Sequence, residues 1–182
     1  MHILALCGSL RSASSNLTVL QCLGHLVPDG VTVELFDGIG ALPLFNPDLD
    51  AEPLPEAVSA LRQAIGTADA LVISSPEYAH GMAGAMKNAL DWLVSSLEFP
   101  AIHIALINTA QRARHSDAQL REVLTTMSAR LVKEASITLP LSGRAVTALG
   151  ILSDPVLADP LAAALRALVA QFRADGVRLR EF

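Results

Sequence analysis

Charged side chains, aromatic rings and thiols are all scarce in this chain, and each shortage removes a class of protein. Only 17% of its residues are charged and 4% aromatic, while 52% are hydrophobic, a balance on the apolar side of ordinary globular domains and far from a disordered chain. Thirteen Lys and Arg face eighteen Asp and Glu, a net charge of −5. That disfavours a nucleic-acid partner, because affinity for a phosphate backbone comes from Lys and Arg. The two cysteines, Cys7 and Cys22, are too few for a disulfide framework and read as small core hydrophobes. Apolar runs such as 3–7 fall far short of the ~20 residues that cross a bilayer. Met1-His2-Ile3 carries no basic stretch ahead of an apolar one, so no export signal or membrane span is expected and a cytoplasmic location is. His2, His25, His80, His103 and His115 form no short-spaced pair with a nearby carboxylate, which disfavours a metal centre.

What the chain does have is alternation. At 182 residues it suits one domain with one core. Within it, short apolar runs alternate with longer stretches of helical period, the pattern of repeated βα units around a parallel sheet. Five strands are expected, at 3–7, 31–36, 70–75, 101–108 and 134–139, the second alternating like a half-exposed edge. Helices are expected after the first strand, where Val19, Leu20, Leu23 and Leu26 fall at helical spacing, and at about 55–67. Another, at 83–97, is so apolar that it belongs between layers or between subunits. The segment Ser116-Asp117-Ala118-Gln119 fits a capping box that opens a helix running to about residue 131. A last helix opens at Asp159-Pro160 and stops before Gly176. The long connection 37–55 should pack down through Leu42-Pro43-Leu44-Phe45-Asn46, and 76–84 should be irregular. Right-handed crossovers put helices on both faces.

Two loops carry the chemistry. Gly8-Ser9-Leu10-Arg11-Ser12-Ala13-Ser14-Ser15-Asn16 joins a buried strand to a helix, at the crevice where open α/β sheets bind ligands. Free N–H groups at the helix start, hydroxyls and one guanidinium there suit a phosphate, and Ser15 or Asn16 also suits a cap; the two readings coexist. The segment matches neither GxxxxGK[ST] nor GxGxxG, which points away from ATP and dinucleotide folds and toward one terminal phosphate. The second loop, Pro76-Glu77-Tyr78-Ala79-His80-Gly81-Met82-Ala83-Gly84, lies beside the first in a sheet of order 2-1-3-4-5. Gly81 and Gly84 allow backbone conformations and close approaches that side chains would block, and Tyr78 either covers a heterocycle or anchors the loop on the core. In Lys87-Asn88-Ala89-Leu90-Asp91-Trp92, Lys87 and Asp91, four apart on one helix face, read as a clamp on the loop and Trp92 as core or interface.

With both loops laid out, the chain resembles the NADPH-dependent FMN reductase family, which includes quinone, chromate and azo reductases of flavodoxin-like fold. The resemblance lies in Gly8-Ser9-Leu10-Arg11 through Ser14 to Asn16, and in Pro76-Glu77-Tyr78, His80-Gly81, Gly84 and Lys87 to Trp92. It implies a three-layer α/β sandwich. It also implies that Ser9, Arg11, Ser14, Asn16 and the Leu17 backbone hold the FMN phosphate, and that Pro76, Glu77, Tyr78 and Gly81 line the isoalloxazine. Ala79 stands where the family usually has asparagine and keeps only its backbone N–H, while Thr109 opens the third loop beside the ring. That loop, Asn108-Thr109-Ala110-Gln111-Arg112-Ala113-Arg114-His115, lacks the glycines the family tends to have. Its Arg112 and Arg114 suit a dinucleotide phosphate, an anionic acceptor or solvent equally.

The resemblance further implies NADPH or NADH as reductant and a small acceptor: a quinone, flavin, azo compound or oxyanion. A homodimer or homotetramer, with the helix after the second loop meeting its counterpart, is implied as well. Since FMN carries the hydride chemistry, ping-pong turnover is expected and no catalytic side chain is nominated. The alternatives are a flavodoxin-type electron carrier and a non-catalytic flavin-binding relative.

Overall fold

The computed structural model describes residues 1–141 and 146–176. In chain order the strands are β1 (His2–Cys7), β2 (Thr32–Phe36), β3 (Ala70–Ser74), β4 (Glu77–Tyr78), β5 (Gly81–Met82), β6 (His103–Asn108), β7 (Arg130–Leu131) and β8 (Ile137–Thr138). The helices are α1 (Ser15–Cys22), α2 (Glu56–Thr67), α3 (Gly84–Asp91), α4 (Arg114–Thr126), α5 (Ala148–Leu152) and α6 (Pro155–Ala174). The main sheet runs β2-β1-β3-β6, with β7 and β8 both beside β6 and every pairing parallel. This is the expected 2-1-3-4-5 order of a flavodoxin-like α/β protein, but its fifth strand is in two pieces, not one run over 134–139. Ile104 faces Leu131, yet Ile107 already faces Ile137, so the partner has residues to spare and loops out as a 3₁₀ turn at Lys133–Ala135. The Ser136 hydroxyl accepts from the Leu106 N–H at 3.1 Å and donates to the Val132 carbonyl at 2.9 Å. It thereby satisfies groups that the broken ladder would leave bare.

Because successive side chains of a strand point to opposite faces, β1 splits its apolar run between two cores. Ile3 and Ala5 meet Val19, Leu20, Leu161, Leu165 and Leu168 on the α1–α5–α6 side, and Leu4 and Leu6 meet Val58, Leu61, Met86, Leu90, Leu120 and Leu124 on the α2–α3–α4 side. By length and composition α6 would reach across a membrane, but here its Leu161, Leu165 and Leu168 are packed against the sheet. It also starts earlier than expected. Asp154, not Asp159, is its cap, accepting from the Val156 N–H at 3.0 Å, and Pro160 lies inside the helix. The same Asp-Pro signal occurs twice, and the upstream copy sets the start.

Helix α3 stops at Asp91, short of the expected 83–97. The Arg62 guanidinium donates to the Trp92 carbonyl at 3.1 and 2.7 Å and to Asp50 at 2.7 Å, taking an oxygen that would otherwise serve the next helical turn. Trp92 is fully buried, its indole N–H donating to the Pro43 carbonyl at 2.8 Å. The clamp is Asn88, which accepts from the Phe45 N–H at 2.8 Å and donates to Pro43 at 2.9 Å; Lys87 and Asp91 pair with each other at the surface. The 42–46 stretch is thus pinned down at Leu42, which is buried, and at Phe45, edge-on to Trp92, while Leu44, expected to pack down as well, is 84% exposed.

Candidate functional site

The first loop begins with a close approach. The Gly8 N–H donates to the Ser74 carbonyl at 2.8 Å, and a Cβ on Gly8 would fall 2.3 Å from Ser75 Oγ and 2.7 Å from Ser75 Cβ. Only glycine lets the two loops lie side by side. Ser14, rather than Ser15 or Asn16, caps α1, accepting from the Leu17 N–H at 3.4 Å, and Ser9 Oγ accepts from the Arg11 N–H at 3.4 Å. Both contacts are long. The Ser15 and Asn16 N–H groups lie in the first turn without an intrahelical acceptor, and none of the described residues accepts from them. Arg11 is exposed and has no ion-pair partner among the described residues.

Asn16 takes a different part from that implied for its side chain. It is buried, with Oδ1 2.8 Å from the Ser74 hydroxyl and 3.1 Å from that of Thr109. One amide thus braces the first loop, the end of β3 and the third loop against one another, leaving its backbone N–H toward the loop. Thr109 is the other half of this brace.

The second loop is not irregular. Glu77–Tyr78 pairs antiparallel with Gly81–Met82, and Ala79 and His80 turn the corner at φ of 48° and 60°. Two successive positive φ values make a type I′ turn. Gly81 and Gly84, expected to need glycine's freedom, are not among the positive-φ glycines. Ala79 and His80 adopt that geometry at roughly 1–2 kcal/mol each.

Helix α4 holds the hairpin in place. Glu77 Oε2 accepts from the Ser116 N–H at 2.9 Å, Ser116 Oγ donates to the Pro76 carbonyl at 3.3 Å, and Gln119 Oε1 accepts from the Met82 N–H at 3.0 Å. The His80 ring stacks on His115 with centroids 4.4 Å apart. Ser116 and Gln119 are therefore not a capping box. The helix opens at Arg114, and Glu77 caps it from another segment. Gly81 leaves room for Gln119, whose Oε1 would be 3.3 Å from a Cβ there. Tyr78 is 52% exposed, so it is not a core anchor.

The third loop closes tightly without glycine. Asn108 Oδ1 accepts from the Ala110 N–H at 2.9 Å, Asn108 Nδ2 donates to the Ala113 carbonyl at 3.2 Å, and the Ala113 N–H donates to Ala110 at 2.9 Å. The three loops enclose a cleft of about 280 Å³ lined by Asn16, Ser75, Pro76, Glu77, Asn108, Thr109, Ala110, Arg112 and Ala113. Sequence reading missed Ser75 and Asn108, whose signal was a polar residue ending an otherwise apolar strand. Burial pushes the Cys7 thiol up, against a smaller opposing effect of a backbone hydrogen bond at Ser9, which disfavours a thiolate nucleophile there.

A parallel sheet of this order, with a cleft where its strands end, defines a flavodoxin-like α/β protein. The model of the NADPH-dependent FMN reductase family matches residues 1–142. The chain is 36% identical to an NAD(P)H-dependent FMN reductase of Pseudomonas aeruginosa over 92% of its length and 93% of that protein. It is 32% identical to a quinone reductase of Escherichia coli over 74% of each. Among solved structures it is similar to a flavoenzyme NAD(P)H:(acceptor) oxidoreductase of Paracoccus denitrificans, with a TM-score of 0.76, 25% identity, and 95% and 97% of the two chains covered. The chain belongs to the NADPH-dependent FMN reductase family, a family of oxidoreductases.

The residues present fit FMN. The first loop offers two free backbone donors, two hydroxyls and an unpaired guanidinium, a donor set suited to a phosphate. Ser75 lines the cleft, and its Oγ, buried against Gly8, has no hydrogen-bond partner among the described residues, an orphaned polar atom at the junction of the first two loops.

Proposed function

We propose that this protein is an FMN-dependent NAD(P)H oxidoreductase that reduces quinones, free flavin or similar small oxidants. The observation that carries the reading is the Asn16 brace. Two hydroxyls, one from the end of β3 and one from the third loop, converge on one buried amide, which fixes the phosphate loop and the cleft walls as one rigid unit. Ser9, Arg11, Ser14 and the N–H groups of Ser15 to Leu17 hold the phosphate. Leu17 enters by exchanging its long contact to Ser14 for the anion. Pro76, Glu77, Tyr78, Ala79, Gly81 and Thr109 flank the ring, Glu77 and Thr109 mainly by fixing the walls. Bound FMN supplies the hydride and electron transfer. The chain itself orients the cofactor, offers the backbone N–H groups of the Tyr78 to Gly81 turn as preorganised donors, and leaves one side open for reductant and acceptor in turn.

The same reading takes the protein to be a cytoplasmic homo-oligomer. Supporting it are two unpaired thiols, as a reducing compartment keeps them, and Val94 and Leu97, 66% and 89% exposed just after α3. Light scattering on Val94→Glu with Leu97→Glu is expected to give a smaller particle than the wild type. The reading as a whole is tested by the visible spectrum of the purified protein before and after NADPH. A yellow protein that bleaches, and recolours with a quinone without any partner reductase, is expected. A colourless protein that cannot take up FMN overturns the reading.

A further inference from the structure

Beside the cleft of the three loops lies a larger one of about 490 Å³, lined by Asn108, Gln111, Arg114, Asp117, Thr138 and Pro140. The two clefts share Asn108, and the third loop forms the wall between them, with Arg112 on the smaller side and Arg114 on the larger. The wall is braced: Asn108 is bonded to both Ala110 and Ala113, and the Arg114 N–H donates to the Arg112 carbonyl at 2.9 Å. Both guanidiniums therefore project from a fixed backbone.

Both are exposed, and neither has an ion-pair partner among the described residues. The nearby carboxylates are engaged elsewhere, Asp117 with Arg121 at 2.8 Å and Glu77 with the Ser116 N–H at 2.9 Å. In a chain of net charge −5, two unpaired guanidiniums on one short turn reverse the local sign and attract an anion. Their planar forks match a phosphate better than any other common biological anion except a carboxylate.

We propose that the larger cleft takes the adenosine half of the nicotinamide dinucleotide and that Arg114 grips its 2′-phosphate, so that the enzyme selects NADPH over NADH. This rests on the oxidoreductase reading above. The 2′-phosphate is the one chemical difference between the two dinucleotides, so selection reduces to whether a cation waits for it. The volume lies within the range of small-molecule sites. The Gln111 amide and Thr138 hydroxyl offer hydrogen bonds to a ribose or an adenine edge, and the shared Asn108 wall leaves the nicotinamide end within the flavin cleft.

The test compares kcat/KM for NADPH and NADH, with one neutral quinone as acceptor, in the flavin-loaded wild type, Arg112→Ala, Arg114→Ala and Arg114→Lys. Calorimetric titrations with adenosine 2′,5′-bisphosphate and with 5′-AMP run alongside. The wild type is expected to favour NADPH and the bisphosphate by about tenfold or more, the effect of one charge-assisted hydrogen bond. Arg114→Ala is expected to remove most of that ratio, Arg114→Lys to restore part of it, since a point charge remains, and Arg112→Ala, on the other side of the wall, to leave it nearly unchanged. The ratio cancels any loss of flavin common to both reductants. A wild-type ratio near one, a ratio unchanged in Arg114→Ala, or a bisphosphate bound no better than AMP overturns the proposal. So does a KM that rises only for a sulfonated quinone, which assigns the arginines to an anionic acceptor. Failure to bind FMN sinks the oxidoreductase reading instead, and the bisphosphate titration, which needs no turnover, still decides the phosphate grip.

Discussion

Removing the Glu77 carboxylate tests how the site is held together. Glu77 Oε2 lies 2.9 Å from the Ser116 N–H in the first turn of α4, and the residue before that helix, Ala113, offers no side-chain cap. A side-chain cap contributes about 1 kcal/mol, and a carboxylate facing the positive end of a helix adds about 0.3–1 kcal/mol. Glu77→Ala loses both, roughly 1.5–2 kcal/mol, whereas Glu77→Gln keeps an acceptor and loses mainly the charge. At about 2–4 °C per kcal/mol for a chain of this size, the alanine variant should melt roughly 3–8 °C below the wild type. The glutamine variant should fall between them. Circular dichroism melts of flavin-free protein measure this. A parallel FMN titration should show weaker binding in the same order, because the hairpin beside the cleft loses one of its ties to α4. An alanine variant that melts with the wild type would show that the Ser116 N–H does not depend on Glu77, and the cap from a distant segment would have to be abandoned.

Arg11→Ala should weaken FMN retention roughly tenfold to hundredfold, the loss of a charged hydrogen bond, without lowering the melt of the flavin-free protein; equilibrium dialysis measures it, and unchanged retention refutes the phosphate assignment. Ala79→Asn, which places a residue tolerant of positive φ at φ 48°, should raise stability by up to about 1 kcal/mol in urea unfolding, and a loss there would mean the turn is not strained. Asp175 is 2.8 Å from His103 Nε2 and 3.1 Å from Arg130. The His103 hydrogen bond, with help from Gln171 and Arg130 and against burial, holds its carboxyl below the usual range. A depressed folded value stabilises fully above the unfolded value of about 3.9 and fades as pH falls through the folded one. Asp175→Asn should therefore be less stable than wild type at neutral pH, with the gap closing below about pH 4; a gap that is constant from pH 7 to 3 removes Asp175 from the stability account.

Much of this was legible in residue order. Runs such as Ile3 to Cys7 alternate between two buried faces, which is why they read as central strands, and the phosphate loop reads from its serines, its arginine and its place after β1. The second loop read less well. Its glycines drew attention as the flexible points, while the positive φ values fell on Ala79 and His80, because α4 holds the turn and local preference is overridden. Ser116 and Gln119 misled for the same reason: their spacing fits a local cap, and their partners came from 76–82. For Asn16, nothing in sequence reveals that Ser74 and Thr109 reach its Oδ1, which leaves the backbone N–H as its means of meeting a phosphate.

What the chain's order of residues settled alone was the alternation of strand and helix and the two loops that follow the first and third strands, since periodicity and loop chemistry are local properties. The folded molecule decided the rest. It chose between Asp154 and Asp159 as the start of α6, broke the fifth strand where its register outran that of β6, and turned Glu77, Ser116 and Gln119 toward each other. Each of these is a competition for one buried donor or acceptor among groups far apart in the chain, and such a competition is decided only when tertiary packing brings the candidates together.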